Sequence, residues 1–150
     1  MAIAWIKRNL FWLVSRVAFW SYGKVPIFGP WPASVGIIQH GTLYLVIRRN
    51  DGRGFSFPGG LSFPWENEEQ TLVREIREET GLLAEQCRFV FRYETSIVMP
   101  SRIAVFRAHA AGDVRSSWEG TPEWVELGAL QSGIISSQAY IVQRLAAASV

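Results

Sequence analysis

Along residues 3 to 20 the apolar positions Ile3, Ile6, Leu10, Leu13, Val14 and Val17 recur at the i, i+3, i+4, i+7 spacing of one helix face. Trp12, Phe19 and Trp20 widen that face, and Lys7, Arg8, Asn9, Ser15 and Arg16 are left as the polar remainder. The pattern predicts an amphipathic N-terminal helix. Arg16 interrupts it, so it lacks the roughly 20 consecutive apolar residues of a bilayer span, and no small-residue cleavage site follows. Its apolar stripe still needs a cover. The candidates are its own domain, a second copy in a homodimer, or a membrane surface, where the basic and tryptophan side chains of residues 3–20 suit peripheral contact. "GKVPIFGPWPAS", residues 23–34, then reads as a rigid Pro- and Gly-rich connector. The chain therefore divides into residues 1–34 and a folded domain over 35–150.

Beyond the connector the period changes. "SVGIIQHG" and "TLYLVIRR" are β-branched and aromatic runs split at His40 and Gly41, a hairpin signal. "GRGFSFPGG" follows as a loop with a short extended piece. A helix is expected over about 67 to 80: Asn67 with Gln70 resembles a capping box, Glu68 and Glu69 suit the positive helix start, and Gly81 supplies the stop. Residues 87–93 and 102–110 read as strands, 124–127 as a short one, and 136–148 as a closing helix capped by serine. Strands and helices in this mixture predict an α/β sandwich.

Composition narrows the partners. At 150 residues, 49% hydrophobic and 19% charged, the chain holds one globular domain. A net charge of +2 with scattered basic residues argues against nucleic acid. Cys87 is the only cysteine, which excludes an intrachain disulfide and a cysteine zinc site and makes a reducing cytoplasm the expected location. His40 and His109 have no partners at ligand spacing and read as structural or exposed.

The chemistry gathers in "REIREETGL", residues 74–82. At about 100° per residue from Leu72, Val73 and Ile76 fall within roughly 100° on one side, expected to face the core. On the same count Glu79, Glu75 and Glu78 fall at roughly 340°, 300° and 240°, an acidic stripe at the core edge. A solvated helix with ion pairs such as Arg74 with Glu78 is the bland explanation. It leaves Glu75 and Glu79, one turn apart, in mutual repulsion. Clustered carboxylates are hard oxygen donors, suited to Mg²⁺ or Mn²⁺.

From Gly60 the chain reads Gly, five residues, Glu66, seven residues, then Arg74-Glu75-Ile76-Arg77-Glu78-Glu79-Thr80-Gly81-Leu82, which resembles the Nudix box at every defined position over residues 60–82. The resemblance implies a Nudix-type α/β/α sandwich with a mixed sheet, the N-terminal helix being extra. It also implies a metal-dependent pyrophosphohydrolase for a nucleoside diphosphate linked to another moiety. Glu75, Glu78 and Glu79 match the metal-binding and base-supplying glutamates, Arg74 the arginine that orients them, and Glu66 a structural or auxiliary glutamate. Gly60 allows close backbone approach and offers its carbonyl to the metal. "WEGTPEW", residues 118–124, resembles the segment that supplies a further glutamate in 8-oxo-dGTP-cleaving Nudix enzymes. Glu119 is the first choice as ligand or base, and Glu123 the alternative. Arg48 or Arg49 matches the region of a phosphate-binding arginine. Trp65, in the unrestricted Phe63-Pro64-Trp65 stretch, either stacks on a substrate base or packs on the N-terminal helix. The rival reading is a catalytically silent Nudix-fold nucleotide-binding or regulatory module; such proteins usually lose a box glutamate, and none is lost here.

Overall fold

The computed structural model describes residues 29–148. The expected amphipathic helix at 3–20 lies outside the described residues. Eight strands run in chain order as β1 (Trp31–Ile37), β2 (Gln39–His40), β3 (Leu43–Arg49), β4 (Phe55–Ser56), β5 (Gly59–Leu61), β6 (Leu83–Thr95), β7 (Ser101–Ala111) and β8 (Gly120–Glu126). The helices are α1 (Glu68–Thr80), α2 (Leu127–Gly133) and α3 (Ala139–Ala148), with a 3-10 turn at Ser136–Gln138 before α3. Among the described residues no helix is long and apolar enough to cross a membrane.

Two four-stranded sheets form the frame. One has the order β5-β1-β7-β6 and is mixed, since β1 runs parallel to β7 and the other pairs are antiparallel. The second is β2-β3-β4 with β8 antiparallel along β3. Successive residues of a strand face opposite ways, and β3 uses both sides. Tyr44 and Val46 enter a core shared with β1, β7, α2 and α3, while Leu45 enters a second core with Leu72 and Ile76 of α1. Helices therefore cover both faces, giving the α/β/α arrangement.

Some boundaries differ from the sequence reading. β1 begins at Trp31, so residues 31–34, expected as connector, are strand paired with Ser101–Ala104. The expected hairpin around His40 and Gly41 shrinks to the two pairs Gln39–Tyr44 and His40–Leu43, because β1 leaves for the other sheet. β6 and β7 extend beyond their expected ends, and β8 starts at Gly120 rather than at 124. The closing helix is not capped by serine: Ile135 holds the N-cap of the 3-10 turn, without a side-chain bond. Gln138 instead accepts the Phe57 N–H at 2.7 Å and ties this turn to the strand region.

α1 forms where its signals predicted. Asn67 accepts from the Gln70 N–H at 2.8 Å and Gln70 accepts from the Asn67 N–H at 3.0 Å, the reciprocal capping box. Gly81 ends the helix at φ 77°, where its N–H reaches the Arg77 carbonyl. Leu72 and Ile76 are fully buried, but Val73 is 40% exposed and Glu79 only 5%. The buried arc is thus rotated away from Val73 and into the acidic stripe, which carries a carboxylate into the interior.

Candidate active site

The three box glutamates are graded by depth. Glu79 is buried, Glu75 nearly so, and Glu78 has 61% of its side chain in solvent. Gly60 on β5 lies directly over Glu75, and a Cβ there would push the Glu75 carboxylate out of its present position. Glu79 Oε2 accepts the Gly59 N–H at 2.8 Å.

Arg74 organises the outer part of the cluster. Its Nε donates to Glu66 Oε1 at 2.7 Å, and Nη2 donates to Glu66 Oε2 and to the Leu61 carbonyl, each at 3.0 Å. Nη1 donates to Glu75 Oε1 at 2.7 Å and lies 3.4 Å from Glu78 Oε2. Glu66 also accepts from the Phe63 N–H and from Thr71 Oγ1. Four donors, chiefly those of Arg74, hold its carboxyl down at about 2. Glu66 is therefore the anchor of Arg74, the structural one of its two expected roles.

The inner part carries no such compensation. Pairing of β8 with β3 places Gly120 opposite Arg49, and Asn50 N–H donates to the Glu119 carbonyl at 2.9 Å. This fixes Glu119 at the mouth, close enough for its charge to act on Glu79. Burial, then the neighbouring Glu119, push the Glu79 carboxyl well up from its ordinary value. Glu75 is also raised, by burial first, against the opposing pull of Arg74 and with added repulsion from Glu119 and Glu78.

The other candidates separate cleanly. Glu123, four residues past Glu119, accepts Arg48 Nε at 2.5 Å and Nη2 at 2.8 Å, which lowers its carboxyl. Arg48 also lies over the Phe55 ring, so the two ends of that pair neutralise each other. Arg49, on the opposite side of β3, is held by Asp51 through Nη2 at 2.6 Å, and its charge acts on Glu119 and Glu79. Trp65 is stacked on Phe63 with ring centres 5.1 Å apart, and 77% of it is exposed. Asn50 and Asp51 were missed by the sequence reading; the Asn50-Asp51-Gly52 turn composition after β3 was the available signal. An open groove of about 700 Å³ along the outer face of α1 touches Arg74 and Glu78, but none of Glu75, Glu79 and Glu119 lines it.

The donor set suits a hard divalent cation: carboxylate oxygens drawn together, one of them buried beside a like group, under a strand kept free of side chains by Gly60. Among the described residues no three acidic, histidine or cysteine side chains stand close enough to hold an ion by themselves.

The model of the NUDIX domain matches residues 30–145, and the chain belongs to the Nudix family. It is a Nudix hydrolase, a pyrophosphohydrolase by class. The chain is 36% identical over 110 residues to the 8-oxo-dGTP diphosphatase of Haemophilus influenzae, covering 67% of this chain and 79% of that one. A protein of Bacillus subtilis named as putative 8-oxo-dGTP diphosphatase YtkD is 34% identical over 68 residues, 45% of this chain and 42% of that one. Among solved structures, the Escherichia coli ORF135 protein superposes with a TM-score of 0.70 at 22% identity, over 79% of this chain and 90% of that one, a likeness of fold.

Proposed function

We propose that the protein uses Mg²⁺ or Mn²⁺ to hydrolyse a nucleoside diphosphate linked to another moiety, with an oxidised purine deoxynucleoside triphosphate as the first substrate to test. The observation that carries this reading is Glu79, a box glutamate buried on α1 beside Glu75 and Glu119, where a cation would serve the clustered carboxylates. The substrate suggestion rests on the names of the two relatives, 8-oxo-dGTP diphosphatases.

Gly60, Glu75, Glu78, Glu79 and Glu119 would hold the metal, which supplies charge neutralisation at the phosphoryl oxygens and a lowered pKa for the attacking water. Arg74, bonded to Glu75 and Glu66, keeps the outer carboxylates in place. Arg49, whose charge already faces the cluster, turns from Asp51 to a substrate phosphate. A glutamate of the cluster takes the proton of the attacking water. The water oxygen bonds to one phosphorus, the anhydride P–O bond breaks, and the electron pair leaves with the second phosphoryl group.

The test is a substrate panel containing 8-oxo-dGTP, dGTP and nucleoside diphosphate conjugates, run with Mg²⁺, with Mn²⁺ and with chelator, and scored by phosphate-containing products. Cation-dependent cleavage of at least one member is expected. Tight nucleotide binding without cleavage would instead identify a silent module, and metal-independent cleavage would overturn the proposed mechanism.

A further inference from the structure

Phe63 and Trp65 are large aromatic residues left in water, 44% and 77% exposed, at positions that the box leaves unrestricted. They are nevertheless ordered against each other and against the site. The Phe63 ring has Arg74 Cζ 4.3 Å from its centre on one contact and the Trp65 ring stacked on it at 5.1 Å and 18° on another. The backbone closes the same circuit. Phe63 N–H donates to Glu66 Oε2, Glu66 N–H donates to the Phe63 carbonyl at 3.0 Å, and Glu66 holds the guanidinium of Arg74 by two bonds.

We infer that Phe63, backed by Trp65, is a positioning residue for the hydrolytic reaction and acts through Arg74. A guanidinium directs all its donors within its own plane. Bonds to Glu66, Glu75 and Leu61 therefore fix Arg74 against sliding and rotation in that plane, but resist tilting out of it weakly. A ring set over the guanidinium opposes the tilt, excludes water from that face and attracts the cation by its quadrupole. Trp65 in turn stiffens the ring by offset stacking. Arg74 carries this order to Glu75, so the two exposed aromatics serve the carboxylate cluster without touching substrate. Trp65 then has its role in this stack, rather than as a platform for a base.

This rests on the hydrolytic reading given above, and the experiment separates the two. Turnover is measured for wild type, Phe63→Leu, Phe63→Tyr and Trp65→Ala, and for Phe63→Leu combined with Arg74→Gln, together with melting temperature and exchange of the Arg74 Nε–H by NMR. Phe63→Leu is expected to lower kcat about 5-fold, the factor a moderate cation–π contact corresponds to. KM should stay within about 2-fold and the fold should melt close to wild type, as expected when lost positioning is felt in the transition state rather than in substrate binding. Phe63→Tyr should restore the rate, Trp65→Ala should have the smaller effect, and Phe63→Leu should cost nothing further on the Arg74→Gln background. Full kcat in Phe63→Leu, an effect confined to KM, or an additive effect in the double variant would overturn the inference. A wild type that cleaves no panel member removes the hydrolytic reading alone. Nε–H exchange then decides: faster in Phe63→Leu supports the positioning contact, and unchanged overturns it.

Discussion

Glu119, just before β8, and Glu123, at the middle of that strand, are four residues apart, and their surroundings are opposite. Glu123 meets Arg48 in a two-bond, solvent-facing ion pair. Glu119 meets another carboxyl, that of Glu79, at the edge of the interior. A solvent-screened pair of the first kind adds little to stability. The second arrangement costs the apo fold stability, because one carboxyl must be kept neutral or both must repel. On the proposed mechanism a bound cation would relieve this cost, whereas Glu123 already has its partner in Arg48.

The largest effect is expected at Glu79. Glu79→Gln should lower turnover by about 1,000-fold, since it removes a charged donor from the site that stabilises the phosphoryl transition state. The glutamine oxygen can still accept the Gly59 N–H, so the variant should stay folded and melt no lower than metal-free wild type at neutral pH. Near-normal cation-dependent turnover in this variant would remove Glu79 from the chemistry.

Next comes the pair itself. Glu119→Gln should cost about 100-fold in kcat, whereas Glu123→Gln should stay within about 3-fold and lose no more stability than an exposed ion pair provides. Steady-state kinetics on both variants decides; a reversed order would transfer the role to Glu123. The arginines follow the same division. Arg49→Ala should raise KM about 10-fold by removing a charge-assisted phosphate contact, and Arg48→Ala should leave KM close to wild type. Equal effects would show that Arg48 leaves Glu123 to bind substrate.

The smallest effect is on stability against pH in chelator. Glu79 and Glu75 have raised values in the folded state, so they bind protons more tightly than in the unfolded chain. Their contribution is complete below about 4.5 and is lost as pH rises through the raised values. Glu66 has the opposite sign: its contribution is present above its unfolded value and disappears as pH falls toward about 2. Thermal melts of metal-free protein should therefore decline by a few degrees from weakly acidic to neutral pH, on the order expected for about 1 kcal/mol. Glu79→Gln should flatten that decline, and Mg²⁺ should offset it in wild type by binding the folded state. A flat metal-free wild-type profile would contradict the buried-proton account.

Legibility followed range along the chain. The capping box at Asn67 and Gln70, the stop at Gly81 and the spacing from Gly60 to Leu82 are contacts or patterns within about 20 residues, and each was readable. α2 was missed because it is seven residues long, contains Gly128, ends at Gly133 and has no side-chain cap. Neither a period nor a terminus signal was available. Val73 was assigned to the core by periodicity and is exposed, because the angle at which α1 lies on β1 and β5, not its own sequence, sets the buried arc.

The sequence by itself determined the acidic helix, its ends and the residue types of the box, since helix geometry puts residues three and four apart together whatever surrounds them. Only the tertiary structure decided which acids meet. Parallel pairing of β1 with β7 and antiparallel pairing of β8 with β3 carry Glu119 to Glu79 across 40 positions and give Glu123 to Arg48. Those choices depend on burying two cores at once, a condition on the whole chain that no local spacing contains.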